Sequence, residues 1–163
     1  MPELPPDAKA HRDWLLSFVP VQNGTSIVDL GCGAGHDLIA LARKNPDVDA
    51  RFIGLDASEE SLASARAQSR DEPRVSFVSH DLTRRLPFEP ATIDAVFTNN
   101  ALECLAEPAE CAREIGRILR PGGTVVAAHW DWDSQIFDGS DKARIRHLVH
   151  AFRRLAAAVD GAF

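Results

Sequence analysis

Apolar positions along this chain follow two rhythms in turn: a period of two in short runs and a period of about 3.6 in longer ones. After a PELPP arm, residues 8–19 have the longer period, with Asp7 placed to cap a helix and Trp14, Leu15 and Phe18 expected on its inner face. Residues 20–24 break the chain. Residues 26–30 (SIVDL) form a short apolar strand that runs into a glycine loop. Residues 36–45 predict a helix stopped by Pro46, and residues 50–55 (ARFIGL) a second strand. Ser58 is placed to cap a helix over 59–70, and residues 74–79 and 92–98 read as strands three and four. Residues 107–119 bring Ala112, Ile115, Ile118 and Leu119 onto one helical face, and the PGG at 121–123 is expected to end that helix before a fifth strand at 124–129. A last amphipathic helix is expected over 140–159, carried by Ile145, Leu148, Val149 and Phe152.

Strands separated by helical segments imply βαβ units, and so an α/β class with a mainly parallel sheet and helices on both faces. The ligand crevice of such a sheet lies at the carboxyl ends of its strands. The loops after the five strands should therefore converge. A single domain over 1–163 is expected: an N-terminal arm and helix at 1–24, a binding core at 25–130, and a further loop and C-terminal helix at 131–163.

Composition narrows the class. The chain has 163 residues, is 26% charged, and carries a formal charge of −6. That balance disfavours nucleic acid as a partner, although Arg84 and Arg85 adjoin and Arg144, Arg146, Arg153 and Arg154 recur near the C-terminus. No apolar run approaches the roughly 20 residues of a membrane span, and no secretion leader is visible, so a cytoplasmic location is expected. Cys32, Cys104 and Cys111 lack metal-ligand or disulfide spacing, and no metal is expected.

The chemistry concentrates in VDLGCGAG at 28–35. Gly31, Gly33 and Gly35 follow a strand and precede a helix, the context in which a glycine loop can admit a ligand against its backbone. A nicotinamide-type loop has a third small residue one position later, where this chain has His36, and a Walker loop ends in GK[ST], which is absent. Asp56 ends strand two and can accept both hydroxyls of a ribose; it is expected to face the crevice, so that Asp56→Ala should spare the fold. Asp81 ends strand three.

GxGxG after Asp29, GLDAS with Asp56, SHDL with Asp81, IDAVFTNNAL and LRPGG together resemble, in order and spacing, the motifs of the class I S-adenosylmethionine-dependent methyltransferases over roughly residues 8–130. LRPGG and the LPF at 86–88 most resemble the branch that includes the ubiquinone and menaquinone methyltransferases. The resemblance implies a Rossmann-like methyltransferase fold of seven strands with a terminal antiparallel pair. That pair is not readable here. It also implies S-adenosylmethionine as methyl donor, with S-adenosylhomocysteine as product, and an in-line displacement onto a small-molecule acceptor.

By that resemblance the cofactor lies against Asp29, Gly31, Cys32, Gly33 and Gly35. Asp56 and the adjoining Ala57 face its ribose, Asp81 and the Leu82 N–H its adenine, and Asn99 its ammonium; Arg12 is a candidate for its carboxylate. Asn100 and Glu103 after strand four, and Trp130 and Trp132 after strand five, are expected to face the acceptor. His129 is the preferred general base, since an imidazole titrates near neutrality. Two other readings stay open, a non-catalytic methyltransferase-like partner and a nicotinamide-dependent oxidoreductase. A homodimer is also left open.

Overall fold

The alternation of strand and helix folds as a βαβ succession in a computed structural model that describes residues 6–128. Helix α1 (Pro6–Leu16) leads to strand β1 (Ser26–Leu30), then α2 (His36–Lys44), β2 (Arg51–Asp56), α3 (Glu59–Gln68) and β3 (Val75–Ser79). Strand β4 (Ile93–Asn99), a 3-10 turn (Leu102–Cys104), α4 (Pro108–Ile118) and β5 (Leu119–Ala128) follow. The five strands pair in the order β3-β2-β1-β4-β5, and every pairing is parallel. The strand order reverses between β1 and β4. The crevice at their carboxyl ends is thus the topological switch point where α/β sheets bind ligands.

The period-two alternation sorts side chains onto the two faces. Ile27, Phe52 and Phe97 meet Leu16, Leu38 and Leu62 in one cluster. Val28, Leu30 and Val96 meet Leu86, Ile115 and Ile118 in the other. On β1, Asp29 shares the Ile27 face of the sheet.

Three expectations change. Trp14 and Phe18 are 59% and 53% exposed and stack edge to face at 5.0 Å, while Leu15, Leu16 and Val19 provide the inner face of this segment. Asp7 lies within α1 and not ahead of it. LRPGG belongs to β5: Leu119 pairs with Ile93 directly after α4, and the ladder slips before Thr124 pairs with Ala95. Gly122 takes φ +81° within that irregularity, which absorbs the extra residues as a bulge. Ser58 caps α3 as expected, accepting from the Ser61 N–H at 3.2 Å. The expected helix at 140–159 lies outside the described residues.

Arg74 locks the end of the sheet opposite the crevice. Its guanidinium donates to the carbonyls of Ala42, Asn45 and Val48, and to both oxygens of Glu72. These carbonyls also accept from the N–H groups of Asn45, Val48 and Ala50, so the guanidinium takes up their second lone pairs. Arg74→Met leaves the buried Glu72 carboxylate without its cation, and is expected to cost about 3 kcal/mol of stability in urea titration. Ligand binding at the far end of the sheet should persist.

Candidate active site

The glycine loop joins β1 to α2 and turns three times through positive φ, at Gly31 (+74°), Gly33 (+52°) and Gly35 (+74°). Its backbone is tied down internally. Gly31 and Cys32 N–H both donate to the Leu55 carbonyl, at 2.8 and 3.0 Å, and Gly35 N–H donates to the Cys32 carbonyl. Gly33 N–H donates to Oδ2 of Asp56 at 2.7 Å. Asp56 Oδ1 accepts from Ser58 N–H at 2.8 Å. A carboxylate has about four lone-pair sites, so each Asp56 oxygen keeps one for a ligand.

Two contacts show where the loop is closed and where it is open. A Cβ on Gly31 would come within 2.3 Å of the Ala101 Cβ, whereas a Cβ on Gly33 would meet nothing within 4 Å. Gly31 is thus the seam against the loop after β4, and Gly33 borders free space.

Charge around the loop is negative. Asp29 is 3% exposed, and no described residue donates a hydrogen bond to it. Burial pushes its pKa well above the usual carboxylate range, and the nearby charges of Asp37 and Asp56 push it further. Asp37, in the first turn of α2, accepts from the Asn99 side chain at 3.2 Å and meets Arg12 Nε at 3.8 Å. That Nε is buried with no hydrogen-bond acceptor. Asp37 escaped the sequence reading because an acid in a helix's first turn is explained by the helix dipole alone. Burial pushes the Cys32 thiol up, so it packs as a neutral group.

Asp81 follows β3 and is exposed; its Oδ1 accepts from both the N–H and the hydroxyl of Thr83, which hold its pKa below the ordinary value. Leu82 turns into the core beside Leu86. This loop is clamped to α4: Glu114 accepts from Leu86 N–H, and Arg117 donates to the Leu86 and Phe88 carbonyls. Ala57 follows Asp56 in the bend that leads into α3 and is exposed. Asn99 and Asn100 are half-buried at the end of β4, and Glu103 is exposed in the 3-10 turn. Asn100 adopts φ +57°, and its N–H donates to the Ala128 carbonyl, joining the ends of β4 and β5. His129, Trp130 and Trp132 lie outside the described residues.

A cavity of about 260 Å³ lies elsewhere, between the C-terminal ends of α1 and α2. Its two charged lining residues, Asp13 and Lys44, already pair with each other at 2.6 Å. The convergent chemistry is at the glycine loop.

A methyltransferase-domain family model matches residues 22–161. The chain belongs to that family. This methyltransferase domain is 37% identical over 146 residues to an uncharacterized 37.1 kDa protein in transposon TN4556 of Streptomyces fradiae, covering 87% of the chain and 42% of that protein. It is 38% identical to the trans-aconitate 2-methyltransferase of Azoarcus sp. strain BH72, over 72% of the chain and 44% of the relative. Among solved structures it resembles a Haloferax volcanii putative methyltransferase in complex with the Trm112 methyltransferase activator, with 37% identity and a TM-score of 0.64 over 73% of the chain and 51% of that one. The chain thus spans less than half the length of these two curated relatives. The observed sheet is the class I methyltransferase fold. No helix among the described residues is long and apolar enough to cross a membrane.

Proposed function

We propose that this methyltransferase domain binds S-adenosylmethionine at the glycine loop and directs its methyl group to a small-molecule acceptor. The observation that carries this reading is the charge and donor state of the loop. Asp29, Asp37 and Asp56 gather there, and the N–H groups of Gly31, Cys32, Gly33 and Gly35 are already spent within the protein. A pyrophosphate needs free N–H donors and no facing carboxylates. A nucleoside whose other end is cationic suits these groups, and this disfavours the nicotinamide alternative.

The residues fit that ligand. Asp56 retains a lone pair on each oxygen for the two ribose hydroxyls, with Ala57 alongside. Asp81 and the Leu82 N–H would receive the adenine edge. Asn99 and Asp29 would face the ammonium, and the Nε of Arg12, which lacks a hydrogen-bond acceptor, would serve the methionine carboxylate. When bound, S-adenosylmethionine supplies an electrophilic methyl group. The chain's part is alignment and exclusion of water, and alignment can provide about 7–11 kcal/mol of a barrier. His129 is proposed as the general base, worth about 10²–10⁴-fold where the acceptor must lose a proton. Asn100, Glu103, Trp130 and Trp132 are proposed for acceptor contact. Residues 25–130 would form the cofactor core and 131–163 the acceptor side. The trans-aconitate relative supports an acceptor of low molecular weight, and LRPGG and LPF support kinship with the ubiquinone and menaquinone branch.

Calorimetric titration with S-adenosylhomocysteine, with NADH as control, tests the reading. Micromolar binding of the first alone is expected. Tighter binding of NADH, or no binding of S-adenosylhomocysteine, would overturn it.

A further inference from the structure

Asp29 is the most deeply buried carboxyl at the site, and no donor to it occurs among the described residues. Along β1 it pairs with Gly54 of β2 and Phe97 of β4, neither of which offers a side-chain charge or hydrogen bond. The titratable groups acting on it are Asp37 from α2 and Asp56 from β2, both acids; its neighbour in the loop is the neutral Cys32 thiol. The nearby cation, Arg12 of α1, is held on Asp37. The three acids are not arranged to share a metal ion, since no such group of three occurs among the described residues. Burial and like charge both oppose ionisation of a carboxyl so placed. A cationic ligand would reverse that balance.

We propose that Asp29 is neutral in the free protein and releases its proton to solvent as the ammonium of the ligand binds, becoming the carboxylate that faces it. The proposal rests on the cofactor reading above and adds proton coupling to it. The proton leaves the carboxyl oxygen for buffer, the ammonium takes its place as counter-charge, and no covalent bond of the ligand changes. Stability follows the same sign. A carboxyl with a raised folded pKa stabilises the free protein below the ordinary carboxylate range. That contribution is lost as pH rises through the folded value, so the bound ligand should stabilise the protein more at higher pH.

The test is calorimetric titration of S-adenosylhomocysteine at pH 7 in phosphate and in Tris, whose ionisation enthalpies differ widely. The buffer dependence should report net proton release on binding, and affinity should rise with pH, by up to about tenfold per pH unit, on the acid side of the Asp29 titration. Asp29→Asn should bind more weakly, release no proton and show a flat pH profile. Asp37→Asn removes one of the like charges without touching Asp29, and should lower the release below the wild-type value. Tight binding with identical enthalpies in both buffers would overturn the proton coupling and leave the cofactor reading intact. Undiminished release in Asp29→Asn would also overturn it. Absence of binding would remove the cofactor reading, and this proposal with it.

Discussion

Asp56→Ala is expected to weaken S-adenosylhomocysteine binding by at least about 100-fold, because it deletes two hydrogen bonds to a charged acceptor, each worth about 1.5–3 kcal/mol. The structure adds a second consequence that the sequence alone does not suggest. Asp56 also holds the glycine loop in place through Gly33 N–H at 2.7 Å, and the entry to α3 through Ser58 N–H at 2.8 Å. The fold is therefore not spared: losing both contacts should lower stability by about 1–2 kcal/mol in chemical denaturation. Asp56→Asn separates the two roles, since its single carbonyl oxygen can keep one backbone donor while the paired acceptors for the two hydroxyls are lost. It should fold nearly as the wild type and still bind at least about tenfold more weakly. Wild-type affinity in either folded variant would take Asp56 out of the site.

The parts of this fold that were readable are those where one local rule governs. Strands at 26–30 and 92–98 show themselves as apolar runs because both faces of the sheet are covered. Ser58 shows itself because a hydroxyl ahead of a helix has one common use. Trp14 and Phe18 are misplaced by the same logic, since periodicity gives a helical face but not which of two adjoining faces meets the sheet. Leu15, Leu16 and Val19 take the core side. LRPGG misleads because Pro and Gly punctuate both turns and bulges, and only the pairing of Leu119 with Ile93 decides between them. In the site, motif order points to the three loop glycines, Asp29 and Asp56, and the fold brings all five to the carboxyl ends of β1 and β2. Their present bonds were not, because Asp56 on Gly33, Asp37 with Asn99 and Ala101 over Gly31 are contacts between distant segments. On the acceptor side, Asn100 and Glu103 follow β4 among the described residues, whereas His129, Trp130 and Trp132 lie outside them.

The glycine loop yields a sharper test, because two of its glycines are glycine for different reasons. Gly31→Ala adds a Cβ at φ +74° and sets it 2.3 Å from the Cβ of Ala101. Relief by moving Ala101 is resisted, since Asn100 at φ +57° fixes the turn and its N–H is bonded to Ala128. Left-handed strain and overpacking together should cost about 2–4 kcal/mol in urea denaturation. Gly33→Ala carries the backbone strain alone, about 1–2 kcal/mol, because nothing in the protein lies within 4 Å of the added methyl. If the space beyond Gly33 is where the ligand lies, that methyl intrudes there, so the folded Gly33→Ala variant should lose most of its affinity for S-adenosylhomocysteine. Ala101→Gly in the Gly31→Ala background should restore part of the lost stability by removing the clashing atom, and should do nothing for Gly33→Ala. No rescue by Ala101→Gly would mean that backbone strain at Gly31 dominates over the clash. Full affinity in Gly33→Ala would place the ligand elsewhere than over this loop.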